Sequence, residues 1–197
     1  ITFLTKGETE HMLSAIKDRA LELVKGRKYD EMIDLVAVVY KQEIKQRLWP
    51  ETAKLAKQHI EAGREVWLIT AAPQEMGEEI AKQLGLTGAL GTRLKAVDGI
   101  LTGEIIGKPL HGKEKAKAIK KLAKDRGFSL RKSFAYSDSH NDLPMLTSVG
   151  HAVAVNPDKL LKIYAKAAVW KIYDFKRKEL RAAKRTAKQE IKIGKRG

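Results

Sequence analysis

Apolar residues recur along this chain with two alternating periods. Between residues 11 and 47 they return every three or four positions, which predicts amphipathic helices. From Trp49 onward, helix-like and strand-like segments alternate. Helices are predicted over residues 50–60, 73–84, 113–126 and 143–149, and strands over residues 66–69, 133–137 and 151–155. This order indicates an α/β fold with a Rossmann-like parallel sheet and helices on both of its faces.

One segment interrupts the alternation. Asp98-Gly99 separates two short apolar runs within residues 93–106. These two residue types tolerate the positive φ angles that a two-residue hairpin turn requires. The sequence therefore predicts an antiparallel hairpin in addition to the parallel sheet.

Composition limits the class of protein. With 197 residues, 43% of them hydrophobic, the chain can bury one core and a small accessory module. It contains no cysteine, which excludes disulfides, thiolate metal sites and cysteine nucleophiles. No apolar run approaches the roughly 20 residues that cross a bilayer, and no signal-peptide pattern opens the chain. We therefore expect a soluble cytoplasmic protein.

Positive charge is concentrated at one end of the chain. The net charge is +15, and residues 171–197 hold eleven basic and three acidic residues. Trp170, Tyr173 and Phe175 lie in front of most of these basic residues, a pattern that suits peripheral contact with the anionic inner face of a membrane. Contact with nucleic acid phosphates is less favoured, and a solvated C-terminal helix is the simpler alternative.

The strongest candidate for chemistry directly follows the strand predicted over residues 133–137. Ser137-Asp138-Ser139-His140-Asn141-Asp142 lies where a parallel sheet binds its ligands, at the carboxyl end of a strand. Two carboxylates four residues apart suit a hard cation such as Mg²⁺. The alternative is structural, with Asp138 ending the strand and Asp142 capping the next helix.

Two further segments suit a phosphate group. In Thr70-Ala71-Ala72-Pro73 a hydroxyl lies beside a predicted helix N-terminus, where backbone N–H groups and the helix dipole favour an anion. Residues 112–117 begin a lysine-rich helix, and one of these lysines could neutralise a phosphoryl group. Taken singly, Thr70 is better explained as part of a helix cap, and each lysine as a solvated side chain.

Taken together and in this order, the three segments resemble the haloacid dehalogenase-like phosphohydrolases, and most closely their phosphoserine phosphatase branch. The resemblance covers residues 49–157. Residues 136–146 are similar to the fourth motif of the family, residues 66–70 to the second, and the segment from Arg93 through the Asp98-Gly99 turn to Gly103 to a feature of this branch.

The resemblance implies a role for each matching residue. Asp138 matches the Mg²⁺ ligand, Asp142 the second acidic residue of the metal site, and Asn141 the amide that orders the phosphate site. Thr70, with Ala71 beside it, matches the segment that binds the transferred phosphoryl group. For the lysine of the third motif the pattern favours Lys115, with Lys113 as the alternative.

The chain departs from the family in one respect. The family's nucleophile belongs to an Asp-x-Asp motif on the central strand, and the 197 residues contain no Asp-x-Asp. We expect that the nucleophile lies upstream in a longer protein and that this fragment alone is inactive; the alternative is an inactive binding protein that uses its basic tail. The expected division is a helical cap region over residues 1–47, an α/β core over 48–173 and a basic tail over 174–197. The implied function is Mg²⁺-dependent hydrolysis of small phosphomonoesters through an aspartyl-phosphate.

Overall fold

The computed structural model describes residues 21–175, over which helices and strands alternate. The helices are α1 (Tyr29–Val39), α2 (Pro50–Glu61), α3 (Gln74–Leu84), α4 (Lys113–Arg126), α5 (Leu143–Leu146) and α6 (Lys159–Ala167). The strands are β1 (Trp67–Pro73), β2 (Gly88–Thr92), β3 (Leu94–Val97), β4 (Ile100–Ile105), β5 (Phe134–Ser137), β6 (His151–Val155) and β7 (Lys171–Tyr173). None of the helices in this part of the chain is both long and apolar enough to span a membrane.

The strands form two parallel groups and one hairpin. Strand β1 pairs in parallel with β2, and β5, β6 and β7 form a parallel sheet in that order. Strands β3 and β4 pair antiparallel. Within residues 21–175, β1 has no strand partner besides β2, and β5 has none besides β6.

Helices cover both faces of the parallel strands. Gly77 of α3 lies close to the side chains of Thr70 and Ala89, on one face of β1 and β2. Ile69 precedes Thr70 in β1, so its side chain points to the opposite face. There it packs against the core cluster that contains Ile119 of α4. The Rossmann-like layering predicted from the sequence is thereby confirmed.

The two parallel groups are held together by helices. His59 of α2, the helix that leads into β1, lies 2.7 Å from the hydroxyl of Tyr136 in β5. On the other face, α4 contributes Ile119 to the core around β5 and β6. At its end, Arg126 forms an ion pair with Glu65, two residues before β1.

The hairpin and the segment around α1 form a second, smaller core. Asp98 and Gly99 have φ angles of 51° and 75°, as the predicted turn requires. Lys28 forms a bridge with Ile100, and a buried cluster joins the segment to β4. Its buried members are Met32, Val36 and Leu101.

Three elements are absent from the sequence-based prediction: β2, α6 and β7. Strand β2 reads Gly-Ala-Leu-Gly-Thr, which has little β propensity. Its small residues are required by packing, because a Cβ on Gly91 would lie 2.6 Å from the Cα of Gln74. The predicted helical pattern over residues 11–20 and the basic residues from 176 onward lie outside the described residues.

Candidate active site

The fourth-motif segment forms a tight turn at the carboxyl end of β5. Ser137 ends the strand, and a short 3₁₀ turn over His140–Asp142 leads directly into α5. The Ser139 hydroxyl accepts a hydrogen bond from the backbone N–H of Asn141 at 3.2 Å and so caps this turn. Asp138 and Asn141 are exposed, whereas Asp142 is buried. The turn therefore presents one carboxylate to solvent and holds the other inside.

The inner carboxylate is paired with a lysine. Lys115 Nζ donates to Asp142 Oδ2 at 2.9 Å, and the two side chains are only 12% and 9% exposed. The Ser137 hydroxyl donates to the same oxygen at 2.8 Å. Lys113, the alternative left open by the sequence, is exposed. The structure thus shows Lys115, and not Lys113, in contact with Asp142.

Gly112 allows α4 to begin beside this turn. Its φ of 54° and ψ of −119° lie outside the region that L side chains ordinarily adopt. A Cβ built on it would lie 3.7 Å from the carbonyl oxygen of Asn141. Gly112 was not singled out as functional by itself, although a glycine directly before a lysine-rich helix is the signal that could have found it.

Sequence reasoning missed Asp158, which stabilises the turn after β5 through hydrogen bonds from the start of α6. Asp158 Oδ2 accepts from the backbone N–H of His140 at 2.8 Å and lies 2.9 Å from the His140 Nδ1. Asp158 Oδ1 caps α6 by accepting from the Leu161 N–H at 2.8 Å. The backbone N–H of Asp158 donates to the carbonyl oxygen of Asp138 at 2.7 Å. An aspartate that precedes an apolar helix is a capping signal, but its second role depends on the fold.

The pKa of Asp158 reflects these contacts. Partial burial raises the pKa, but hydrogen bonds from Leu161 and His140 lower it more, so the net shift is downward. The carboxylate is therefore held in its ionised, accepting form.

Hydrogen bonds within the segment and from Thr92 of β2 fix the residues around Thr70. Thr70 Oγ1 accepts from the backbone N–H of Ala72 at 3.1 Å, and the carbonyl oxygen of Ala71 accepts from the hydroxyl of Thr92 at 2.8 Å. Thr92 is buried, and its hydroxyl also accepts from the Leu110 N–H at 3.1 Å. No hydrogen bond within the described chain joins Thr70 to Lys115. The two predicted phosphate-binding residues therefore lie on separate elements, Thr70 in β1 and Lys115 in the first turn of α4.

The donor set bears on the predicted metal. No group of three or more His, Asp or Glu side chains in residues 21–175 is arranged to hold a metal ion. The exposed Asp138 carboxylate makes no hydrogen bond or ion pair in that part of the chain, whereas Asp142 Oδ2 is engaged by Lys115 and Ser137. One available carboxylate open to solvent suits Mg²⁺, which commonly binds through one or two carboxylates and keeps several waters.

A cleft of about 350 Å³ lies between α1 and α3, and Tyr29 and Glu75 line it. The Tyr29 hydroxyl donates to the Glu75 carboxylate, and Glu75 is only 8% exposed. Burial and this neighbouring carboxylate raise the pKa of Tyr29 to about 12. The tyrosine therefore stays protonated and joins α1 to the first turn of α3, which directly follows β1.

Fold and site define a class of protein: an α/β protein with a parallel sheet and a cluster of polar and charged side chains at the carboxyl end of β5. Comparison with known families identifies the family. The chain belongs to the haloacid dehalogenase-like hydrolases, whose family model matches residues 5–147.

Individual relatives point to phosphatases. The chain is 45% identical over 169 residues to phosphoserine phosphatase SerB1 of Mycobacterium tuberculosis, covering 86% of the chain and 55% of that protein. It is 35% identical over 131 residues to histidinol-phosphatase of Neisseria meningitidis, covering 64% of the chain and 59% of that protein. The chain thus spans somewhat more than half the length of these relatives.

A solved structure shares the fold. A protein of unknown function from Bordetella pertussis is 27% identical, with a TM-score of 0.74 over 80% of this chain and 72% of that one.

Proposed function

We propose that this chain supplies most of the core of a Mg²⁺-dependent phosphatase that acts on small phosphomonoesters. The observation that carries the proposal is the buried contact between Lys115 and Asp142, which joins two segments 27 residues apart at the carboxyl end of β5. A lysine fixed in this way adds positive charge where a sheet of this class binds its ligand. The family membership and the phosphatases among the relatives support the same assignment.

Each predicted site residue has a distinct task in this proposal. Lys115, held by Asp142, neutralises charge on the phosphoryl oxygens as it redistributes during transfer. Thr70 and the backbone of Ala71 bind that group from the β1 side, near the N-terminus of α3. Asn141, exposed on the turn after β5, orders the phosphate site.

Asp138 is the residue that would bind Mg²⁺ directly. Asp142 would support the metal site indirectly, through its contacts with Lys115 and with Ser137 at the start of the turn. Bound Mg²⁺ would offset the repulsion between an anionic nucleophile and an anionic phosphate. Asp158 keeps the carbonyl of Asp138 and the N–H of His140 in place, and so limits the positions that the Asp138 carboxylate can adopt.

The nucleophile of this proposal is an aspartate upstream of the 197 residues, in an Asp-x-Asp motif on a strand between β1 and β5. The pairing of the strands supports this position, because β1 and β5 each have only one strand partner within the described residues. Each therefore has an open edge, and the helices hold the two parallel groups together. The aspartate would form an aspartyl-phosphate, and the second aspartate of the motif would protonate the leaving oxygen and then activate water.

We further propose that residues 1–47 act as a cap over this site and residues 48–173 as the core. The contact between Tyr29 and Glu75 joins these two parts at the first turn of α3, directly after the strand that contains Thr70. A cap that closes over the sheet excludes water during the first transfer step and selects the substrate. Phosphoserine and histidinol phosphate are the first substrates to test, since phosphatases for both are among the relatives.

The test uses the full-length protein with its upstream segment. We expect Mg²⁺-dependent hydrolysis of p-nitrophenyl phosphate, and a loss of several orders of magnitude in kcat for Asp138→Asn. The matched control is Asp125→Asn, because Asp125 is a surface aspartate that pairs with Lys121 at the far end of α4. Full turnover by Asp138→Asn would remove Asp138 from the metal site. If the upstream segment lacks Asp-x-Asp and no phosphate ester is hydrolysed, the protein is instead a binding protein.

A further inference from the structure

Helix α6 has two apolar faces, and only one of them is used in the core. Leu161 and Ala165 are fully buried. Leu160, Ile163 and Tyr164, spaced at i, i+3 and i+4, form a second stripe and are 57%, 58% and 41% exposed. A helix on the surface of a globular domain ordinarily carries polar residues at such positions.

A residue just after the helix has an unusual conformation. Val169 follows α6, has a φ of 55° and is 90% exposed. A β-branched residue is strained in this left-handed region, which glycine adopts freely at the end of a helix. A strained and exposed valine directly after a helix with three exposed apolar side chains points to a role outside the fold of the single chain. We call Leu160, Ile163 and Tyr164 the α6 apolar face.

Lysines border this face on one side. Lys159 and Lys166 lie on the neighbouring stripe of α6, and neither forms an ion pair with another described residue. Lys162 is on the same stripe and pairs with Asp174 at 2.8 Å. Beyond residue 175 the sequence continues with further basic residues. Within the described residues, the exposed apolar side chains therefore lie beside a row of three lysines.

We propose that the α6 apolar face docks on the surface of an anionic lipid bilayer, with its side chains among the acyl chains and the lysines among the headgroups. Charge complementarity favours this occupant, because helices that lie in a membrane interface combine an apolar stripe with flanking lysines. The aromatic rings fit the same position. The ring centroids of Tyr164 and Trp170 lie 5.1 Å apart, and Trp170 packs against the core. The amphipathic ring of Tyr164 is therefore held in place at the edge of the face.

Two other occupants fit less well. A second copy of the chain would bring Lys159 and Lys166 close to their own copies. The face also consists of three side chains, far fewer than the roughly 20–30 residues that each partner contributes to a stable interface. A nucleic acid would pair with the lysines but leave Leu160 and Ile163 in water.

The test is co-sedimentation of the full-length protein with vesicles of phosphatidylcholine and phosphatidylglycerol in a 7:3 ratio, and with vesicles of phosphatidylcholine alone. We expect binding to the anionic vesicles only. The double variant Leu160→Ser/Ile163→Ser should lower the partition coefficient about tenfold, since two apolar side chains no longer enter the interface. Both residues are more than half exposed, so folding should be unaffected, which circular dichroism would verify.

The matched control is Val97→Ser, which alters an apolar residue of 54% exposure on the β3–β4 hairpin and should bind like the wild type. Equal binding by the double variant and the wild type would overturn the proposal, and would assign any vesicle binding to the basic tail. Failure of the wild type to sediment would overturn it too. A dimer in light scattering that the double variant abolishes, without vesicle binding, would assign the face to self-association instead.

Discussion

The contact between Lys115 and Asp142 makes a quantitative prediction about stability. Replacing Lys115 by Met keeps the length and helix propensity of the side chain but removes its charge. Asp142, whose side chain is 9% exposed, then retains the hydrogen bond from Ser137 as its only side-chain partner in the described structure. Removing one member of a buried ion pair costs about 3–5 kcal/mol because the remaining charge is uncompensated.

The hydrogen bond from Ser137 remains in the variant and partly compensates the carboxylate of Asp142. We therefore expect Lys115→Met to lose about 3 kcal/mol of unfolding free energy, the lower end of this range. For a domain of this size such a loss lowers the melting temperature by about 6–12 °C.

The control is Lys117→Met on the same helix. Lys117 is 69% exposed and pairs with Glu114 at 2.8 Å, so its removal should cost at most about 1 kcal/mol. Unfolding by urea, followed by circular dichroism, measures both variants. The double variant Lys115→Met/Asp142→Asn should be more stable than Lys115→Met alone, because it leaves no unpaired charge. Equal loss in Lys115→Met and Lys117→Met would refute the conclusion that the Lys115 pair is buried and coupled.

Three further predictions concern the surrounding structure. Burial, and secondarily Arg64, lowers the pKa of His59, so the fold favours the neutral ring and stability should fall as the pH drops below about 6.5. The difference between the melting temperatures at pH 7.5 and 5.5 should therefore be smaller in His59→Gln than in the wild type. An unchanged difference would contradict this. Gly91→Ala places a Cβ 2.6 Å from the Gln74 backbone and should cost about 1–3 kcal/mol in thermal unfolding. A variant as stable as the wild type would show that β2 and the start of α3 can move apart. Asp158→Asn can still cap α6 through its amide oxygen but leaves the His140 N–H without its charged acceptor. Urea unfolding should therefore show a loss of about 1–2 kcal/mol of unfolding free energy. An unchanged unfolding free energy would mean that only the cap contributes to stability.

Local signals account for the parts of the fold that the sequence predicted. The helix over residues 113–126, the strand over residues 151–155 and the Asp98-Gly99 turn were located to the residue, because apolar periodicity, glycine at helix ends and turn chemistry act over a few neighbours. Strand β2 was missed for the converse reason. Its small residues are required by contact with Gln74, which is distant in sequence.

The amino-acid sequence by itself determined the alternating α/β pattern, the order of the three phosphate-site segments and the concentration of basic residues near the C-terminus. Only the tertiary structure decided which lysine meets Asp142, that Asp158 fastens the turn after β5, and that α6 leaves an apolar face exposed. These features depend on contacts between residues 18 to 27 positions apart and on which side of a helix meets the core. Periodicity identifies an apolar stripe, but burial is settled only when the helix packs against its neighbours.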